Sequence, residues 1–215
     1  MSEQLIPDFM KSLFKDTSDT AIDYLELGID SILSSINQNE LVKEIPIVKS
    51  IYSVGKVMHD IHSRNLLRQT LTFISEFNKR KINHEKYLKY KSEINNNSKK
   101  AEDELGRVLL LLDSYIDEEK SKILGKLFVA YVNERINWKT FCEYSEITSR
   151  IFIQDIDVLK KMQNYGNDDV HMNYITSRLT LAGLMVTYFK VKDGRLLQSW
   201  KLSDIGVDYL SIIND

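Results

Sequence analysis

His59 and His62 stand at i and i+3, the spacing at which two imidazoles on one helix can grip a zinc ion. Asp60 falls between them on another face, and no third ligand follows at a metal-site spacing. The pair therefore reads as two half-exposed helix residues, and no metal is expected. Cys142 is the sole thiol, which excludes an intramolecular disulfide. No histidine lies near it in sequence, so nothing there suggests an activated nucleophile, and Cys142 reads as structural. The stretch from Asp117 to Phe141 has the helix–loop–helix outline of a calcium site but lacks the alternating oxygen ligands such a loop needs. Carboxylates are spread over helix surfaces, with no Gly-rich phosphate loop and no nucleophile elbow. The expectation is a protein that is not an enzyme, with no catalytic residue and no cofactor.

The remaining chemistry is charge. The 215 residues carry a net charge of −2, unevenly spread: residues 1–40 sum to −6, 41–100 to +8, 101–170 to −5 and 171–215 to +1. Acidic and basic segments of this kind pack against each other in many folds, or one of them faces a charged partner. Lys49, Lys56, Arg64 and Arg68 are the cations placed for a protein partner or an anionic membrane surface. Arg178, Lys190, Lys192 and Arg195 are those placed for nucleic acid. The lysine-rich run 78–100 reads as an exposed basic helix ending in a polar turn at Asn95–Ser98.

The elements that must hold these residues are mostly helices. With 2 prolines, 8 glycines and 43% apolar residues, the chain favours long helices over elaborate loops. Residues 1–15 and 16–36 read as amphipathic helices. Pro46 forces a break at 44–46 and starts a helix whose apolar face runs through Ile47, Val48, Ile51, Val54 and Ile61 and continues to Phe77. Helix 46–77 is expected to be a buried spine; the competing expectation is a membrane-surface helix with snorkelling lysines. Later core faces carry Leu105, Val108, Leu112 and Ile116, then Ile123, Leu127 and Phe128, then Trp138, Phe141, Tyr144, Ile151 and Phe152. The N-terminus lacks the pattern of a signal peptide, and no apolar run reaches the roughly 18 residues of a spanning helix. A cytoplasmic or membrane-associated protein is expected.

The chain changes character near Gly166–Asp169. A helix over 170–184 ends at Gly183, strand 185–191 follows, Asp193-Gly194 marks a hairpin turn, and strand 196–202 returns to a last helix capped by Ser203 or Asp204. This order resembles the end of bacterial winged-helix domains, carried by Gly183-Leu184 and Leu202-Ser203-Asp204-Ile205-Gly206. The predicted fold is mainly α: an all-helical domain over 1–152 and a small α+β winged-helix-like module over 153–215 with one β-hairpin. Such a module binds DNA or proteins.

The N-terminal half is similar to small uncharacterised helical proteins of Gram-positive bacteria and their phages. There, a segment like Ile45–Ile51 precedes a basic helix with arginines spaced like Arg64 and Arg68. Some of these are grouped near abortive-infection families. The resemblance implies a bacterial or prophage setting and a role in phage–host conflict, and carries no catalytic residue. The expected function is protein interaction or regulation, through a protein partner or a homo-oligomer. The alternatives are DNA binding by the terminal module and membrane-surface binding by helix 46–77.

Overall fold

A computed structural model describes residues 4–14, 45–54, 61–165, 174–192 and 194–214, with the backbone alone described at 52–54, 164–165 and 192. Lys56, His59 and the expected helix over 16–36 lie outside the described residues. Contacts divide the chain into two units, Met1–Ile136 and Asn137–Asp215.

The first unit is helical: α1 (Leu5–Leu13), α2 (Pro46–Val54), α3 (Ile61–Lys79), α4 (His84–Asn96), α5 (Ser98–Ser114) and α6 (Glu118–Val132). Pro46 occupies the first position of α2, where its missing N–H costs nothing. Asn83 and Asn97 start α4 and α5 by accepting the N–H groups of Lys86 and Lys100. The expected polar turn at Asn95–Ser98 is therefore a single capping residue between two helices. Asp117 precedes α6, but its side chain makes no capping hydrogen bond.

α3 and α6 pack along each other around a ring cluster. Phe128 lies 5.5 Å from Phe73, 5.8 Å from Phe77 and 5.7 Å from Tyr90, centroid to centroid. Gly125 permits the approach: a Cβ there would come within 3.0 Å of Glu76 Cβ. Ile47, Val48 and Ile51 of α2 are buried inside the unit, whereas Ile61, expected on the same apolar face, is 84% exposed at the start of α3. Ile116, expected in the core, is instead exposed, because α5 ends at Ser114 and the helical periodicity stops before reaching it.

The second unit runs α7 (Trp138–Arg150), α8 (Ile153–Tyr165), α9 (Tyr174–Leu181), β1 (Met185–Lys192), β2 (Arg195–Leu202) and α10 (Asp204–Asn214). It begins before the boundary expected at 152/153. The reason lies in α7, where the Tyr144 hydroxyl donates to Asp208 Oδ2 at 2.6 Å and Thr148 Oγ1 meets the Tyr209 hydroxyl at 2.9 Å, both on α10. Gly183, at φ 77°, ends α9: its N–H bonds to the Thr180 carbonyl and that of Leu184 to the Leu179 carbonyl. β1 and β2 pair antiparallel from Met185↔Leu202 to Lys192↔Arg195, and Gly194 between them has φ 73°; Asp193 of the expected hairpin turn lies outside the described residues.

The segment Leu202–Gly206 is a clasp. Ser203 N–H donates to the Leu184 carbonyl at 3.1 Å, and its hydroxyl donates to the Gly183 carbonyl at 2.5 Å. The same hydroxyl accepts the Gly206 N–H at 2.9 Å, capping α10. Gly206 lies so close to Leu184 that a Cβ would overlap the Leu184 carbonyl oxygen. The two short motifs that carried the winged-helix resemblance thus close the base of the hairpin against each other. The protein is mainly helical with a small α+β unit ending in a two-stranded antiparallel hairpin and a closing helix.

Candidate functional site

α9 carries Arg178, the first of the residues expected to face nucleic acid. Its guanidinium is committed elsewhere. Nε and Nη2 donate to Asp155 Oδ2 and Oδ1 at 2.7 and 2.6 Å, and Asp155 is fully buried. Asp155 Oδ2 also accepts the Phe152 N–H at 2.9 Å and so ties off the start of α8. The guanidinium lies 4.5 Å from the Phe152 ring centroid and 5.6 Å from that of Tyr174. A fork held this way locks α8 to α9 and is not presented to a base edge. What α9 presents is apolar: Tyr174 is 74% exposed and Leu181 89%. Phe152, expected to face inward, is exposed beside Arg178, because α7 ends at Arg150 and Phe152 begins a new turn.

The hairpin sorts its residues by the two-residue period of a strand. Cross-strand partners share a face, so Met185, Thr187, Phe189 and Val191 lie with Leu202, Trp200, Gln198 and Leu196. At the base, Met185 and Trp200 are buried; toward the turn, Phe189, Val191 and Leu196 are 64%, 73% and 67% exposed. The opposite face carries Lys190, Arg195 and Lys201 with Val186, Tyr188, Leu197 and Ser199, and Lys192 occupies a backbone position on it. The structure therefore brings the predicted wing cations Lys190, Lys192 and Arg195 to one face, and Arg178 belongs to a separate ion pair.

In the first unit, Lys49 is exposed on α2 and Arg64 on α3. Arg68 pairs with Glu118 at 3.3 Å, binding α3 to the first turn of α6. His62 lies 3.2 Å from Asp113. Among the described residues, no three His, Cys, Asp or Glu side chains gather as a metal site. Among them, too, no helix is long and apolar enough to cross a membrane. Cys142 is half-buried on α7 and forms no disulfide.

Three buried polar groups hold this unit together. Gln69 donates to the Ile116 carbonyl at 2.9 Å and accepts the Ser121 hydroxyl at 2.6 Å. Asp8 accepts the Ser50 hydroxyl at 2.5 Å. Burial pushes its carboxyl up, but hydrogen bonds from Ser50, Gln4 and Lys11 outweigh that and hold it below the usual range. Glu104 accepts the Tyr90 and Tyr131 hydroxyls, each at 2.8 Å. Here burial wins over the hydrogen bonds and holds the carboxyl above the usual range.

A cleft of about 720 Å³ lies between α1 and the α4–α5 junction. Ile6, Met10, Ile94 and Ala101 line it with Glu102, Asp103 and Arg107. The chain matches no family model, no curated protein and no solved structure.

The sequence had no signal that paired Asp155 with Arg178, since the two are 23 residues apart on different helices. The exposed apolar side chains of the hairpin could have been read from the alternation in MVTYFKVK, which has an apolar residue at every odd position but Thr187.

Proposed function

We propose that this chain is a non-enzymatic protein-interaction or regulatory protein whose second unit presents the contact surface. The observation that carries the reading is on α9. Its one arginine among the described residues is bound to a buried carboxylate, while Tyr174 and Leu181 stand in water on the same short helix. A helix that enters a DNA groove offers cations and hydrogen-bonding side chains to phosphates and base edges. Exposed aromatic and aliphatic anchors beside a stacked arginine suit the desolvated centre of a protein interface. The similarity of the segment Ile45–Ile51 and Arg64/Arg68 to phage-associated helical proteins supports a bacterial or prophage setting, and a role in phage–host conflict goes with it.

Affinity capture of the full chain from native cells under gentle lysis tests the reading. One stoichiometric protein partner is expected, lost in a folded Tyr174→Glu/Leu181→Glu variant. A clean negative overturns the proposal. Salt-sensitive binding to duplex DNA, abolished by Lys190→Glu with Arg195→Glu, would replace it with DNA binding.

A further inference from the structure

The distal half of the hairpin has two faces of opposite chemistry at the same rungs. Phe189, Val191 and Leu196 lie exposed on one face with Gln198, and Lys190, Lys192 and Arg195 occupy the other with Leu197, which is 40% exposed. The whole hairpin, residues 185–202, holds one acidic residue, Asp193, against four cations, of which Lys201 lies at the base. Three kinds of occupant answer these faces differently. A second copy of the hairpin would bring like charges together with a single aspartate per chain to offset them. A nucleic acid would engage the cations and leave the apolar face in water. An anionic bilayer satisfies both. An amphipathic element lying at its surface sinks its apolar side roughly 5–10 Å into the headgroup–acyl boundary, which sets the opposite side at the level of the phosphates. Lysine and arginine side chains on the upper face and edges then reach those phosphates while their stems cover apolar surface.

We infer that the distal end of the β1–β2 hairpin docks on an anionic membrane surface, with Phe189, Val191 and Leu196 entering the boundary and the cations of the opposite face meeting lipid phosphates. This differs from the membrane surface expected from sequence on helix 46–77, where Ile47, Val48 and Ile51 are buried. It is independent of the α9 surface and of the protein partner proposed for it. No helix among the described residues can cross a bilayer, so the contact is peripheral.

Co-sedimentation of the full chain with phosphatidylglycerol–phosphatidylcholine vesicles, against pure phosphatidylcholine vesicles, tests it. Partition into the anionic vesicles is expected and should fall several-fold as salt rises from about 0.1 to about 0.5 M. Phe189→Ser alone should weaken it roughly tenfold, and Phe189→Ser/Val191→Ser/Leu196→Ser abolish it, with the far-UV spectrum and thermal transition unchanged because these side chains support no core. Phe189→Trp gives a second readout: its added fluorescence should shift blue on vesicles and be quenched by brominated acyl chains. Absence of wild-type binding to the anionic vesicles overturns the inference. So does binding that survives the triple serine variant, which marks a purely cationic contact. A doubling of solution mass that the triple variant reverses, without vesicle binding, assigns the face to a second copy and overturns it as well.

Discussion

Glu104 lies in an environment far from that of a surface carboxylate. It is buried with two tyrosine hydroxyls aimed at it. Its folded-state pKa is raised above the 4.5 of an exposed glutamate, so the native state holds the proton to higher pH than the unfolded chain. Its contribution to stability is therefore full below pH 4.5 and is lost as pH rises through the raised value. Tyr90→Phe removes one donor to the ionised form and pushes that value further up. Urea unfolding should show a loss of roughly 1–3 kcal/mol near neutral pH, shrinking as Glu104 is protonated. Asp8 has the opposite sign. Its lowered pKa gives stability present above 3.8 and lost as pH falls through the lowered value, so Ser50→Ala should narrow that acid-side dependence. The two tests run in opposite pH directions within one unit, which separates them from any general effect of net charge.

At the scale of elements, two glycines decide how close neighbours come, for different reasons. Gly206 sits against backbone, the Leu184 carbonyl oxygen, which cannot rotate away. A Cβ at Gly125 would meet Glu76 Cβ and Cγ at 3.0 and 3.1 Å, an overlap that a small separation of α3 from α6 relieves. Gly206→Ala should therefore destabilise the second unit by at least the roughly 1–3 kcal/mol of an overpacked site. Gly125→Ala should cost less, since alanine also gains about 1 kcal/mol of helix propensity. Thermal unfolding of both variants checks the order. Ser203 adds a related dependence, since its hydroxyl both caps α10 and holds Gly183, so Ser203→Ala loosens two elements at once.

At the scale of the whole molecule, the division at Ile136/Asn137 assigns α7 to the second unit. Tyr144 and Thr148 of α7 are bonded to Asp208 and Tyr209 of α10, and the Tyr144 and Tyr209 rings meet edge to face at 5.6 Å. A fragment of residues 137–215 should give a dispersed amide spectrum and a cooperative thermal transition. A fragment of 153–215, cut where the sequence suggested, leaves Tyr209 without its cover and should show neither. Burial, then the Asp208 hydrogen bond, holds the Tyr144 hydroxyl above its usual range. The Tyr144 hydroxyl should accordingly resist ionisation until the unit unfolds, which the difference in absorbance between wild type and Tyr144→Phe during alkaline titration would show. The surfaces proposed for a protein partner and for a membrane both belong to this unit.

Legible in the sequence were most of the helices, the caps at Asn97, Asn137 and Ser203, and the hairpin with Gly194 in its turn, whereas the break between Lys79 and His84 with its cap Asn83 was hidden in the lysine-rich run. The legible features depend on local periodicity, on side chains that bond within three residues, and on glycine's access to positive φ, all of which are written in neighbouring residues. The sequence also placed Lys190, Lys192 and Arg195 together, because strand alternation is local. Long-range packing pairs Arg178 with Asp155, turns Phe152 and Ile116 to water and joins α7 to the second unit. Each of these is a choice among partners distant in the chain, made by which buried charge must be neutralised and which apolar face finds cover. Helical and strand periods say that a face is apolar, not what it meets.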